Sequence, residues 1–450
     1  MSRNKPLPSL LTRCKKPNFL LLIDQPCDSS VDQSDEKKNL FMQEFLLNGF
    51  EFQNHYVGSS ACSPSKMTLY TGQYPSLHGV RQTRGFHQKQ FNATVPIMED
   101  YFRKAGYQTF WKELAADQVS DEANQRMASL NKEDMVCAKD VVGLLEKLDQ
   151  EEMEGSHQWV IFSSFRSEQR YGEMMNVFQT LKKTAVYQDT IVLYTSMIGQ
   201  SEELDARNRN NVYEKYIHVP MMIHSPALFH GQKRTGMLTS HVDLLPTMLG
   251  LAGIDEEEVQ TLLSMDDAEV RPLVGRDLTP LLLGRKRFYR ANEPLYFMTD
   301  EEESLDLKDA GEFVETVVQP NHIEAVMATL RTGEENEQEV WKYARYFDDP
   351  QFWRVPGVSD VIVTQEKDVS TEAEKPLSKW VTLTKTSPAP DEFELFNLTR
   401  DPLEKKNLIT AEFETSETKA IGKVLSLILE EQHRQKRLIS KRNDTGNVAI

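Results

Sequence analysis

Thr190-Ile-Val-Leu-Tyr-Thr195 is uncharged, rich in β-branched and aromatic residues and bounded by polar neighbours, which predicts a fully buried strand. A second run of this kind, Asn18-Phe-Leu-Leu-Leu-Ile23, ends in Asp24. Strands buried on both faces belong to sheets that helices cover on each side. The rest of the chain supplies those helices. Lys38 to Asn48 reads as an amphipathic helix closed by Gly49, and Val95 to Lys104 as a helix that ends at Gly106. Asp134 to Asp149, Gly172 to Thr184 and Asp243 to Ala252 also read as helices, the last with Pro246 in its first turn. Short strands are expected at Phe50 to Tyr56, Gln108 to Trp111, Trp159 to Phe162 and Val219 to His224. This alternation predicts an α/β fold, a large sheet wrapped by helices.

Beyond the acidic surface segment Asp255 to Asp267, the texture changes after Gly284. Charge runs such as Glu301-Glu-Glu303 separate short strands at Tyr343 to Phe347, Trp380 to Leu383 and Glu394 to Asn397, and an amphipathic helix runs from Glu417 to Arg437. The expected organisation is an α/β domain over residues 1–290 and a smaller C-terminal α+β subdomain over 291–440. That subdomain holds short antiparallel strands and the terminal helix, and a polar tail covers 441–450. No repeats appear.

The 450 residues carry 52 Lys+Arg against 69 Asp+Glu, a formal net charge of −17. That acidity argues against nucleic acid and anionic membranes as partners, because each would repel the chain at long range. The apolar run Asn18 to Ile23 is far shorter than the ~20 residues of a membrane span. It ends in Asp24 without a small-residue cleavage site, so a buried strand is expected there and no signal peptide. The four cysteines, Cys14, Cys27, Cys62 and Cys137, are too scattered for a disulfide scaffold or a zinc site. The expected location is the cytoplasm.

Chemistry concentrates at Cys62-Ser-Pro-Ser-Lys66. A helix over Ser65 to Thr71 is expected, with Ser63 as N-cap, Pro64 at its first position and Gly72 just past its end. A thiol and a cation then stand where exposed N–H groups and the positive dipole end form an anion site and lower a thiol pKa.

The surrounding words resemble the sulfatase family. They are Gly49-Phe-Glu-Phe-Gln-Asn-His-Tyr-Val57, Cys62-Ser-Pro-Ser-Lys66, Leu69-Tyr-Thr-Gly-Gln-Tyr-Pro75 and His78-Gly-Val80. They continue through Ser196-Met-Ile-Gly199, Val219-Pro220, Ser240 to Ile254, Gly275-Arg-Asp-Leu-Thr-Pro-Leu281 and Glu394 to Pro402, with Asn407-Leu408. In that family an apolar strand ends in Asp-Asp and is followed by a Cys-x-Pro-x-Arg box and Leu-x-Thr-Gly-x-Tyr-Pro. The resemblance implies the alkaline-phosphatase-like fold, a large mixed sheet flanked by helices. It also implies a calcium ion beside a formylglycine made from the box cysteine, whose hydrate attacks the sulfur of a sulfate ester.

By that resemblance Cys62, Lys66 and Lys112 stand at catalytic positions, Arg209 at a substrate-binding one, and Asp24 and Gln25 at metal positions. Arg207 is a near equal of Arg209. Several family features are replaced. Gln25 stands for the second Asp of the strand-end pair, and Met197 and Ile198 stand for a carboxylate and a polar ligand, so the calcium ligand set is incomplete. Lys66 replaces an arginine, loses its bidentate fork, and weakens the sequence through which Cys62 would become formylglycine. The stretch Phe110 to Ala115 lacks the family's histidine, and so does Ser163 to Arg170. His55, His78 and His241 read as fold residues, Asp243 as fixing a helix start and Asp277 as a loop cap.

These losses point to a catalytically impaired or inactive pseudo-sulfatase, with a small sulfate ester as ligand or none. The alternative is an active sulfuric ester hydrolase with a rebuilt metal site, using Glu202, Glu203 or Asp205. A third reading, a hydrolase with Cys62 as direct nucleophile, lacks an evident base.

Overall fold

The computed structural model describes residues 16–25, 35–80, 92, 94–113, 141–152, 158–165, 169–199, 211–266, 268–285, 292–300, 320, 322–332, 337–348, 361–367, 378–384 and 388–440. Seven strands form the larger sheet: β1 (Asn18–Asp24), β2 (Gly49–Tyr56), β3 (Gln108–Glu113), β4 (Trp159–Phe165), β5 (Thr190–Ser196), β6 (Met221–His224) and β7 (Lys233–Ser240). Their order is β3-β4-β1-β5-β6-β2-β7. β3, β4, β1 and β5 run parallel, β6 is antiparallel to both neighbours, and β2 is parallel to β7.

Strand parity sorts the packing. Leu20 and Leu22 face a cluster with Phe41, Phe45, Leu145, Tyr171, Phe178 and Tyr194, contributed by the helices Asp35–Leu46, Val141–Glu152 and Arg170–Leu181 and by β5. Phe19, Leu21 and Ile23 face the opposite cluster with Met67, Tyr70, Phe102, Leu245 and Met248, contributed by Cys62–Thr71, Met98–Lys104 and Leu244–Ala252. The alternation is that of a pleated strand. Every β1 side chain is buried, and each apolar one contributes roughly 1.5–3 kcal/mol.

A further hairpin pairs β11 (Val361–Lys367) with β12 (Ser378–Thr384). The second sheet is antiparallel, in the order β13-β10-β9-β8, with β8 (Leu295–Thr299), β9 (His322–Thr332), β10 (Glu337–Phe347) and β13 (Glu392–Asn397). One of its faces packs on the helix Ser416–Lys436 through Ile421, Leu425 and Leu429, which meet Tyr296, Val326 and Tyr343. The other joins Phe297, Ile323 and Ala325 to Tyr56, Val57 and Ile217 of the larger body. The architecture is the large mixed sheet with flanking helices and a separate small antiparallel sheet that the sequence implies. Among the described residues no helix is long and apolar enough to cross a membrane.

Two local expectations are corrected. The helix expected from Ser65 starts at Cys62, with Ala61 as N-cap and no side-chain cap bond, because the Ser65 N–H already donates to the Ala61 carbonyl at 3.0 Å. Pro64 is tolerated inside this first turn because no intrahelical acceptor awaits its missing N–H. Gly49 does not close its helix either; it opens β2, where a Cβ would sit 2.8 Å from the Phe45 carbonyl oxygen. Gly72 does end the Cys62 helix, at φ +63.

Candidate functional site

The carboxyl ends of β1 and β5 lie side by side, with Asp24 in register with Ser196. The Met197 N–H donates to the Asp24 carbonyl at 2.9 Å, which carries the β5 chain past the strand end. The Cys62 helix is stitched to that turn by Ser65, whose hydroxyl donates to the Met197 carbonyl at 2.6 Å and lies 3.3 Å from Nδ1 of His241. Cys62, half-buried and not in a disulfide, packs at the margin of the cluster that contains Met197. The structure thus ties the Cys62 helix, through Ser65, to the turn at Met197 that Gln25 also meets. The Gln25 amide Nε2 donates to the Met197 sulfur at 3.6 Å.

Asp24 is not brought there. It shares strand parity with Leu20 and Leu22, so its side chain lies on the sheet face opposite the Cys62 helix. Its carboxylate accepts a hydrogen bond from Tyr171 Oη at 2.9 Å and lies 2.7 Å from Nε of Arg170. Burial pushes the carboxyl pKa up, while the Arg170 guanidinium and the Tyr171 hydroxyl pull against that shift. Arg170 comes from the stretch where a family histidine is missing, and nothing in its sequence context marks it as the counter-ion of Asp24.

Along the Cys62 helix, Lys66 and Tyr70 follow at successive turns. The Lys66 ammonium lies 5.9 Å from the Tyr70 ring centroid. Lys66 is buried, and desolvation lowers its pKa to about 8, with the charge of Cys62 opposing. A helix start holding a thiol and a cation can attract an oxyanion. Polarising one for hydrolysis asks for a metal or several fixed donors. Among the described residues no group of three or more His, Cys, Asp or Glu gathers as a metal site.

Lys112 lies on β3, in register with Ser163 of β4. Arg209, with Arg207, Glu202, Glu203 and Asp205, falls outside the described residues. The histidines that read as fold residues are all buried. His55 pairs through Nδ1 with Thr239 Oγ1 at 2.9 Å, and His78 lies 3.2 Å from Thr68 Oγ1. Asp243 caps the turn before Leu244–Ala252 by accepting from the Ser240 N–H and holds Arg276 at 2.8 Å. Asp277 accepts from the Thr279 N–H at 2.8 Å.

Gly199 ends the turn that begins at Met197, and a Cβ there would stand 2.3 Å from the Lys215 carbonyl oxygen. Gly199→Ala is expected to cost about 1–3 kcal/mol through overpacking, readable as a lower midpoint in urea unfolding. An unchanged midpoint would mean that this turn moves freely away from the helix Glu214–Ile217.

Comparisons with known proteins point in one direction. The sulfatase family model matches residues 29–163 and 173–254. A choline-sulfatase of Rhizobium meliloti (strain 1021) is 34% identical over 96 residues, a stretch spanning 21% of this chain and only 17% of that enzyme's length. Among solved structures, a protein in complex with its substrate D-glucosamine-2-N,6-O-disulfate superposes at a TM-score of 0.58 and 12% identity, covering 97% of this chain and 100% of that one. The phosphonate monoester hydrolase of Agrobacterium radiobacter superposes at 0.55 and 13% identity, covering 94% of this chain and 96% of that one. At such identities these structures speak for the fold.

Proposed function

Because the chain belongs to the sulfatase family, we propose that it is a pseudo-sulfatase, a cytosolic member that keeps the fold and has lost sulfuric ester hydrolysis. One observation carries this reading: the contact of Gln25 with Met197, in the turn to which Ser65 of the Cys62 helix bonds. An amide N–H bonded to a thioether occupies the junction of the strand ends, where hydrolysis would need hard anionic oxygens. Calcium takes ~6–8 oxygen ligands, several of them carboxylates. Among the described residues the donors at this junction do not fit it. Met197 offers a soft sulfur, Ile198 offers only its backbone, and Asp24 spends its charge on Arg170 across the sheet. Cys62 remains a thiol in this reading. In this reading Lys66 and the helix start supply a weak positive field that can attract a small sulfate ester without cleaving it.

Calcium titration of the chelator-stripped protein by calorimetry, with a thermal melt alongside, tests the reading. No binding heat and an unchanged melting temperature are expected at millimolar calcium. Saturable binding near micromolar would overturn it and favour a working sulfuric ester hydrolase.

A further inference from the structure

The chain leaves the helix Ser416–Lys436 at Arg437 and runs to Ser440, and this short segment touches both bodies of the molecule. Arg437 is buried, and one of its guanidinium nitrogens lies 2.8 and 3.0 Å from the two carboxylate oxygens of Asp300, just beyond β8. A second nitrogen reaches Glu324 of β9 at 2.8 Å. The same cluster includes His322, whose Nδ1 lies 2.8 Å from Asp300, and His433, whose Nδ1 lies 2.9 Å from Glu324. Tyr296 Oη donates to Glu324 at 2.9 Å. Lys436 pairs with Glu293 at 3.1 Å.

Three residues later the contacts belong to the larger body. The Ile439 carbonyl accepts from Arg271 at 2.7 Å, and Ser440 Oγ donates to Glu269 at 2.5 Å. Asn92 Nδ2 donates to both Glu269, at 3.0 Å, and Ser440 Oγ, at 3.1 Å. The Asn92 N–H in turn donates to the His78 carbonyl at 2.9 Å, and His78 Nε2 lies 3.2 Å from Thr68 Oγ1, on the Cys62 helix.

We propose that residues 433–440 are an electrostatic latch: Arg437 fastens the terminal helix to the small sheet, and Ser440 seats Asn92 and His78 behind the Cys62 helix. The physical basis is the asymmetry of buried charge. Arg437 stays because two carboxylates neutralise it, and those carboxylates stay because Arg437 does. Releasing one end frees the helix and loosens the backing of Thr68. The latch holds whether or not the site hydrolyses esters.

The test uses the full chain with Arg437→Met, Ser440→Ala and, as control, Arg434→Met, an exposed arginine paired within its own helix to Glu431. Arg437→Met is expected to speed amide hydrogen exchange in 416–436 at least 100-fold while exchange in β1 and β5 is unchanged. Combining it with Asp300→Asn and Glu324→Gln should restore most of the protection. Ser440→Ala should raise the alkylation rate at Cys62, read by peptide mass spectrometry, at least threefold with helix exchange unaltered. The control should match the parent in both readouts. Unchanged helix exchange in Arg437→Met, or equal acceleration in the helix and in β1 and β5, would overturn the fastening role. An unchanged Cys62 rate in Ser440→Ala would overturn the seating role.

Discussion

Acidification from pH 7.5 to pH 5 is expected to remove about 6 kcal/mol of unfolding free energy. Four histidines are buried and held neutral: desolvation lowers His78 and His241 to about 3 and His224 to about 4, and drives His55 well below its ordinary value. An unfolded histidine binds a proton near pH 6.5, so below that pH the unfolded chain takes up protons that the native state refuses. Each group then loses about 1.4 kcal/mol per pH unit. The stability they contribute is present above pH 6.5 and is lost as the pH falls toward their native values. Glu404 works the other way. Burial raises it to about 7 despite its ion pair with Lys342, so its contribution is present at low pH and is lost as the pH rises through 7. It offsets roughly one histidine in this window, and the raised carboxyls of Asp24 and Asp277 act in the same direction. Three net groups over about 1.5 pH units give the stated loss, a large share of the ~5–15 kcal/mol that stabilises an ordinary domain. Urea unfolding at pH 7.5, 6 and 5 measures it. A flat profile would mean that these imidazoles are solvated; a fall of the expected size that shrinks by about a third in His224→Gln would assign the slope to them.

Much of the architecture is legible because burial leaves a composition signature. Asn18 to Ile23 and Thr190 to Thr195 carry no charge at all, and the structure extends each by only one residue, to Asp24 and Ser196. β7 left no such mark, since Lys233, Arg234 and Gly236 occupy its exposed half and only Leu238 to Ser240 are buried together. β9 was hidden for another reason. Its buried stretch His322-Ile-Glu-Ala-Val-Met-Ala328 contains Glu and Ala, good helix formers, and Glu324 is acceptable in the core only because Arg437 and His433 arrive from far along the chain. The site divides in the same way. Sequence words located the Cys62 helix and the turn at Met197, whereas the contact of Gln25 with Met197 joins residues that become neighbours only through strand pairing. One signal was available: counting by twos from Leu20 and Leu22 puts Asp24 on their face of the sheet and Gln25 on the other.

Removing Arg170 is the substitution with the largest expected single effect. Asp24 is buried, and the only cation within ion-pair distance of it among the described residues is Arg170, whose side chain is 19% exposed. Arg170→Met would leave a carboxylate in the core with the Tyr171 hydroxyl and the more distant charge of Lys38 to stabilise it, a loss of about 3 kcal/mol, the lower end of the range for breaking a buried pair because the arginine is partly solvated. The double variant Arg170→Met with Asp24→Asn removes both charges, and it should recover to within about 1 kcal/mol of the parent, since a buried pair contributes little beyond mutual neutralisation. The pH dependence separates this account from lost packing. Without the guanidinium the Asp24 carboxyl rises further above its unfolded value, so the stability it contributes is present at low pH and lost as the pH rises. The deficit of Arg170→Met should therefore be smaller at pH 5 than at pH 8, and the double variant should show no such dependence. Equal deficits at both pH values, or a double variant as unstable as the single one, would show that Arg170 acts through its aliphatic stem. Calcium added to Arg170→Met is a sharper probe of the whole site. A lone carboxylate facing away from Cys62 gathers too few oxygens to hold the ion, so the melting temperature should stay where it is, and calcium rescue would mean that Asp24 turns toward the Cys62 helix once its arginine is gone.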